Sequence, residues 1–220
     1  MPRYAITDIH GCVRTFYTLL AKIDFTKEDE LFLLGDYIDR GPKSRAVVDR
    51  IMQLQEDGYR VQCLRGNHEA ILLETIDGRY HIQPYQKPLL SDFGVSRITQ
   101  LPRRYYEWFS ALPYYILLPD YILVHAGLNF QWEDPLKDKE SLLYLRDWDQ
   151  HLDRDWLAGR TVLHGHTPVP ADEIKKKVKD LEWHPVLGLD AGCSHTTPGM
   201  GELCAFNMDT REVTFVEMMD

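Results

Sequence analysis

One pattern occurs three times in the first third of the chain: a short, continuously apolar segment, a polar cluster containing Gly, then apolar residues at helical spacing. Residues 4–7 lead into Asp8-Ile9-His10-Gly11, after which Val13, Phe16, Leu20 and Ile23 mark one face of an amphipathic helix. Residues 31–34 lead into the run GDYIDRG at 35–41, and Val47, Val48, Ile51 and Leu54 follow on a helix that Gly58 can end. Residues 59–64 lead into RGNHE at 65–69, with 70–76 helical behind it. Strands that are apolar throughout are buried on both faces, and their alternation with helices predicts an α/β fold.

The rest of the chain is less regular. Residues 77–102 carry Gly, Pro and aromatics without a clean period and read as an irregular surface excursion, either a flap that shapes a substrate site or a decoration. Residues 103–111 read as a helix, and 114–124 as a hairpin turning at Pro119 and Asp120 and ending in His125-Ala126-Gly127. Residues 129–159 are polar and Trp-rich, with no assignable element. Short strands are predicted at 161–163, before HGHTP, and at 186–189, before Asp190-Ala191-Gly192; the tail reads as two strands around Asp209 and Thr210. No repeat or linker divides the 220 residues, so one domain over 1–220 is expected.

Charge and cysteine content narrow the function. With 25 Lys+Arg against 34 Asp+Glu the net charge is -9, the wrong sign for a surface that grips a polyanion, so no nucleic-acid partner is expected. An anionic substrate must instead meet local positive charge from a few Arg residues or bound metal. Cys12, Cys63, Cys193 and Cys204 form neither a zinc ribbon nor a disulfide framework, which points to reduced thiols in a cytoplasm. No apolar run is long enough to span a bilayer and none resembles an export signal, so a soluble cytoplasmic protein is expected.

Five clusters place a metal-competent side chain just past a predicted strand: Asp8 and His10, Asp36 and Asp39, Asn67 and His68, His125, then His166. Strand ends are where open α/β sheets build their sites. Any one cluster alone is ordinary turn chemistry. Together they offer carboxylate, amide oxygen and imidazole, a set suited to Mn, Fe, Zn or Mg, with one carboxylate bridging two ions.

The set DIHG, GDYIDRG, GNHE, HAG and GHT resembles the PPP-family metallophosphatases, and the compact length is similar to the bacterial and phage protein-phosphatase branch that includes bacteriophage lambda phosphatase. Thr7 departs from that pattern, where many members have Gly. The resemblance implies a calcineurin-like metallophosphoesterase fold, a central β-sandwich of mixed sheets flanked by helices. It implies that Asp8, His10 and Asp36 hold a first divalent ion, that Asp36 bridges to a second, and that Asn67, His125 and His166 bind that second ion directly. Manganese is the expected metal, with Fe, Zn and Mg as alternatives. A water shared by the ions is then the nucleophile, attacking phosphorus without a covalent phosphoenzyme. By the same resemblance His68 is the acid that protonates the leaving group, Asp39 orients it, and Arg40 and Arg146 grip the phosphate, with Asn67 also near the substrate.

The implied activity is hydrolysis of phosphoserine and phosphothreonine monoesters, and of phosphotyrosine as an extension, with a phosphoprotein or small phosphoester as partner. The alternative is a dinucleoside polyphosphate hydrolase, since the diadenosine tetraphosphatases share these motifs. A non-catalytic phosphoprotein-binding module is the reading from another class, and it leaves a full ligand set and His68 without a use. His81, His151, His184 and His195 have no motif around them and read as loop histidines, Glu69 as a residue holding a helix start, Cys12 as packing, and Lys175, Lys176, Lys177 and Lys179 as a solvated face. Oligomeric state is not legible.

Overall fold

The computed structural model describes all 220 residues, the side chain of Tyr85 excepted. β1 (Arg3–Ile6), α1 (Val13–Lys22), β2 (Glu30–Leu33), α2 (Ser44–Glu56) and β3 (Arg60–Cys63) form two successive strand–helix–strand units. Their strands pair in parallel, with Ala5 opposite Phe32 and Phe32 opposite Gln62. Apolar periodicity places the helices: Phe16, Leu19 and Leu20 are buried on α1, and Val47, Val48, Ile51 and Leu54 on α2. Gly58, at φ 82°, follows the end of α2 as expected.

α3 (Asn67–Ile76) starts directly after the third polar cluster. Residues 77–102 contain a short helix, α4 (Lys87–Asp92), and are tied down rather than loosely appended. Phe93 is buried edge-on against Tyr105 with ring centroids 4.8 Å apart, and the Asp92 carboxylate accepts from Arg45 N at 2.7 Å in the first turn of α2. α5 (Arg103–Ala111) and the antiparallel hairpin of β4 (Tyr115–Leu117) and β5 (Tyr121–Val124) fall where the sequence puts them. The unassigned stretch holds only short pieces, α6 (Lys139–Tyr144) and α7 (Arg154–Leu157), too brief for an apolar period to show. β6 (Thr161–His164), α8 (Ala171–Lys179), β7 (Val186–Gly188), β8 (Glu202–Asn207) and β9 (Val213–Glu217) complete the chain. On α8, Lys175 pairs with Asp172 at 3.0 Å and Lys177 with Glu173 at 3.5 Å, so those lysines are answered within their own helix.

The strands make a five-stranded sheet, β3-β2-β1-β8-β9, and a four-stranded sheet, β4-β5-β6-β7, both mixed. Strand alternation sorts their side chains into three apolar layers. Ala5, Phe32, Leu123, Leu163 and Phe206 meet between the sheets. Ile6, Leu31 and Leu33 face α1, α2 and α5, while Ile122, Val124 and Val162 face Leu142, Trp148 and Leu157. The result is the expected sandwich flanked by helices, and each fully buried Leu or Phe in it contributes roughly 1.5–3 kcal/mol. All four cysteines are buried and free. Among the described residues no helix is long and apolar enough to cross a membrane.

Candidate active site

Six parallel strands, three from each sheet, end at one edge of the sandwich. β1, β2 and β3 release the chain into Asp8, Asp36 and Asn67, and β5, β6 and β7 release it into His125, His166 and Asp190. The turns there are tight. Asp8, His10, Asp36, Asp39, Arg40 and His166 all adopt positive φ, between 46° and 66°, a strained conformation for residues with a Cβ. Two glycines let the turns approach: a Cβ at Gly66 would lie 2.2 Å from Asp36 Oδ1, and one at Gly165 would lie 2.0 Å from Asp8 Oδ2.

Asp36 is the hub. Its Oδ1 lies 3.5 Å from His125 Nε2, and its Oδ2 lies 3.5 Å from His10 Nε2 and 3.9 Å from His68 Nε2. The two oxygens thus face two different sets of donors, and Asp36 belongs to both candidate ligand trios, one with His10 and His68, the other with His125 and His166. Asn67 Oδ1 sits 3.0 Å from His125 Nε2 and 3.0 Å from His166 Nδ1. The Asp8 carboxylate takes hydrogen bonds from Thr7 Oγ1 and His166 N on Oδ2, leaving Oδ1 3.9 Å from His10 Nε2. All of these side chains are buried.

The donor set fits divalent cations. His10 Nδ1 lies 2.8 Å from the Ile38 carbonyl and His125 Nδ1 lies 2.8 Å from the Leu34 carbonyl. A carbonyl can only accept, so each proton sits on Nδ1 and each Nε2 turns its lone pair inward. His10 Nε2 is buried and makes no hydrogen bond, and His125 Nε2 points its lone pair at another acceptor, Asn67 Oδ1. Burial keeps these imidazoles neutral, pushing His10 and His166 each down to about 3 and holding His125 below the ordinary value. Burial and the neighbouring Asp190 and Asp36 raise Asp8 well above the carboxylate range. Lone pairs crowded against one another, with carboxylates driven toward taking up protons, are what a cation resolves.

Around this centre lie the other residues singled out from sequence. His68 Nδ1 is 2.8 Å from Asp39 Oδ2, and although burial opposes charge on the ring, Asp36 and the Asp39 hydrogen bond raise His68 above the ordinary imidazole value. Arg40 and Arg146 are both exposed at the rim, with Arg146 Nη1 donating to Thr167 Oγ1 at 3.1 Å. Arg40 acts electrostatically on His10, Arg146 on His125 and His166, and both act on Asp190, so two guanidinium groups border the site. Glu69 binds backbone, as expected: its carboxylate accepts from Asp36 N, Tyr37 N and Gly66 N, each at 2.9 Å, bracing the Asp36 turn against the start of α3.

Three features were not assigned from sequence. Asp190 is buried in the site, pushed up to about 7 by burial, with Asp36 adding to the rise, and its Oδ1 accepts from Gly192 N at 2.8 Å. Its position after a strand is the same signal that marks the other five clusters. Thr7 uses its hydroxyl to orient Asp8, so the departure from Gly adds a hydrogen bond rather than leaving the ligands merely untouched. His195, read as a loop histidine, places Nε2 2.9 Å from Arg40 Nη1. In addition, Pro88, Leu89 and Asp92 join Arg40 and His68 in lining a cavity of about 480 Å³, so the 77–102 stretch does form a wall of the site.

The family model for calcineurin-like phosphoesterases matches residues 1–197. A symmetrical bis(5'-nucleosyl)-tetraphosphatase of Nitrosococcus oceani is 34% identical over 186 residues, covering 80% of this chain and 60% of its own length. The enzyme of the same name from Neisseria meningitidis is 35% identical over 135 residues, covering 60% of this chain and 45% of its own. The chain therefore spans about half the length of the curated relatives it matches. Among solved structures, a protein assigned provisionally as a diadenosine tetraphosphatase superposes with a TM-score of 0.72 at 21% identity, covering 100% of this chain and 94% of the other. A protein serine/threonine phosphatase of Saccharomyces cerevisiae gives 0.72 at 15% identity, covering 100% and 81%. At such identities the likeness shows the fold alone.

Proposed function

Since this chain belongs to the calcineurin-like phosphoesterase family, we propose that it is a two-metal hydrolase that cleaves the phosphoanhydride chain of dinucleoside polyphosphates. Asp8, His10 and Asp36 would hold one divalent ion, and Asp36, Asn67, His125 and His166 the other, with manganese the first candidate. Bound there, the ions would supply an acidified water and neutralise charge gathering on the phosphates. Arg40 and Arg146 clamp phosphoryl oxygens at the rim, where a guanidinium fork strengthens as negative charge develops. His68, whose charged form Asp36 and Asp39 favour against burial, delivers a proton to the departing oxygen.

The observation that carries the substrate class is the shape of the cleft. The cavity of about 480 Å³ beside Arg40 and His68 has a neighbour of about 800 Å³ lined by Arg79, Tyr80, Tyr114, Lys139 and Tyr144, and Ile71 of α3 lines both. Both volumes fall within the roughly 300–1,000 Å³ of small-molecule sites. A substrate with phosphates at its centre and a nucleoside at each end can occupy the two arms, with Tyr80 and Tyr144 exposed for stacking in the second. The names of the curated relatives support the same reading. A phosphoprotein substrate, the first expectation from the motifs, draws its structural support from fold likeness alone.

The test is a comparison of kcat/KM for diadenosine tetraphosphate, a phosphoserine and phosphothreonine peptide panel and an aryl phosphate, under matched manganese and after chelation. The dinucleotide should be preferred by at least a factor on the order of ten, equivalent to about 1.4 kcal/mol, and every activity should vanish in chelator. A preferred peptide would overturn the substrate class, and full activity in chelator the two-metal chemistry.

A further inference from the structure

Arg40 and His195 join two loops that leave different sheets. Arg40 follows Asp39 in the turn after β2, at φ 65°, and His195 lies in the loop after β7, five residues past Asp190. Arg40 Nη1 stands 2.9 Å from His195 Nε2. A guanidinium has no acceptor, so this bond exists only while Nε2 carries a lone pair and the imidazole is neutral. The His195 loop is anchored from below: Asp190 accepts from Gly192 N, and the Gly192 carbonyl accepts from His195 N at 2.8 Å and from Gly201 N at 3.0 Å. On the other side Gly41 N donates to the His10 carbonyl at 2.9 Å, which fixes the turn that carries Arg40. Arg40 itself is exposed, so without His195 nothing among the described contacts would hold its Nη1 group.

We propose that His195 is a positioning residue: its neutral imidazole accepts one Arg40 N–H and turns the remaining donors of the guanidinium toward the substrate phosphates, and protonation of His195 releases Arg40. This rests on the reading of Arg40 as a phosphate-gripping residue. Among the described residues Arg40 is the charged group that acts on His195, beside the burial of the ring itself. Burial, with Arg40 adding to it, holds His195 below the ordinary imidazole value, so the contact is intact at neutral pH and is lost as pH falls through that lowered value.

The experiment uses manganese-loaded protein, an aryl phosphate as substrate and inorganic phosphate as competing ligand, with direct calorimetry of phosphate binding. His195→Leu should raise KM and the phosphate dissociation constant by on the order of tenfold, the loss expected for a hydrogen bond to a charged group, with kcat changed by less than about threefold. His195→Gln, whose Oε1 can accept from Arg40, should restore both constants. From pH 7 toward pH 5, KM of the unaltered protein should rise relative to His195→Gln, since phosphate protonation affects both alike. Wild-type constants in His195→Leu, or no difference between the Leu and Gln variants, would overturn the proposal. Arg40→Lys separates the two readings: if it also leaves KM unchanged, the role of Arg40 fails, whereas if it raises KM while His195→Leu does not, the role of His195 alone fails.

Discussion

His68 and Asp39 face each other across 2.8 Å with both groups buried, and the other ring nitrogen of His68 lies 3.9 Å from Asp36. That geometry suits a proton donor aimed at a leaving oxygen. His68→Asn should therefore lose on the order of a hundredfold or more in kcat with an alkyl phosphate and far less with a nitrophenyl phosphate, whose leaving group needs no proton. Equal losses on the two substrates would remove His68 as the acid.

Glu69 holds three backbone N–H groups of the Asp36 and Gly66 turns at 2.9 Å from inside the protein. Glu69→Ala leaves those donors buried without partners, which costs on the order of 3 kcal/mol or more, read as a fall in the denaturant midpoint. Glu69→Gln keeps an acceptor in place and should recover part of the loss. Unchanged stability in the Ala variant would show that water replaces the carboxylate.

Asp190 places a third carboxylate beside Asp8 and Asp36 and pushes Asp8 upward. Asp190→Asn preserves the shape and the contact with Gly192 but removes the charge. Manganese affinity, measured by calorimetry on the metal-free protein, should weaken by roughly 10–100-fold, the range typical for groups that surround metal ligands. Unaltered affinity would restrict Asp190 to holding its loop.

Arg3 ties the far end of the sandwich, with Nη2 2.8 Å from Asp120 and 2.6 Å from Asp209. The Arg3 hydrogen bond lowers Asp120 below its ordinary value, so the stability it adds is present above the unfolded-state value and is lost as pH falls through the folded one. Because Asp120 is partly solvent-exposed, Arg3→Met should cost only about 0.5–1 kcal/mol at neutral pH. The deficit should shrink below the ordinary aspartate range without altering activity. A constant deficit across that range would assign the effect to packing of the Arg3 stem.

The parts of the fold legible in sequence are those where one physical signal dominates. Continuous apolar runs gave β1, β2 and β5, and clean helical periods gave α1 and α2, because each of these elements buries a whole face. The pieces between 129 and 159 are short and held by local contacts, such as Asp138 accepting from Ser141 N at 3.2 Å, which leave no period to read. In the site, five clusters were legible from residue type and position after a strand. Asp190 satisfied the same rule, but a lone Asp before Ala-Gly carries no companion histidine to distinguish it from a turn. The His195–Arg40 contact spans 155 residues and depends on how two loops from different sheets meet, which composition and spacing do not encode.

The account stands or falls on what the protein does to diadenosine tetraphosphate in heavy-oxygen water with manganese. It predicts cleavage of the phosphoanhydride chain with a single heavy oxygen appearing in one of the two products of each turnover, and no reaction in chelator. No turnover of the dinucleotide by a manganese-loaded protein that still hydrolyses a phosphopeptide would contradict it.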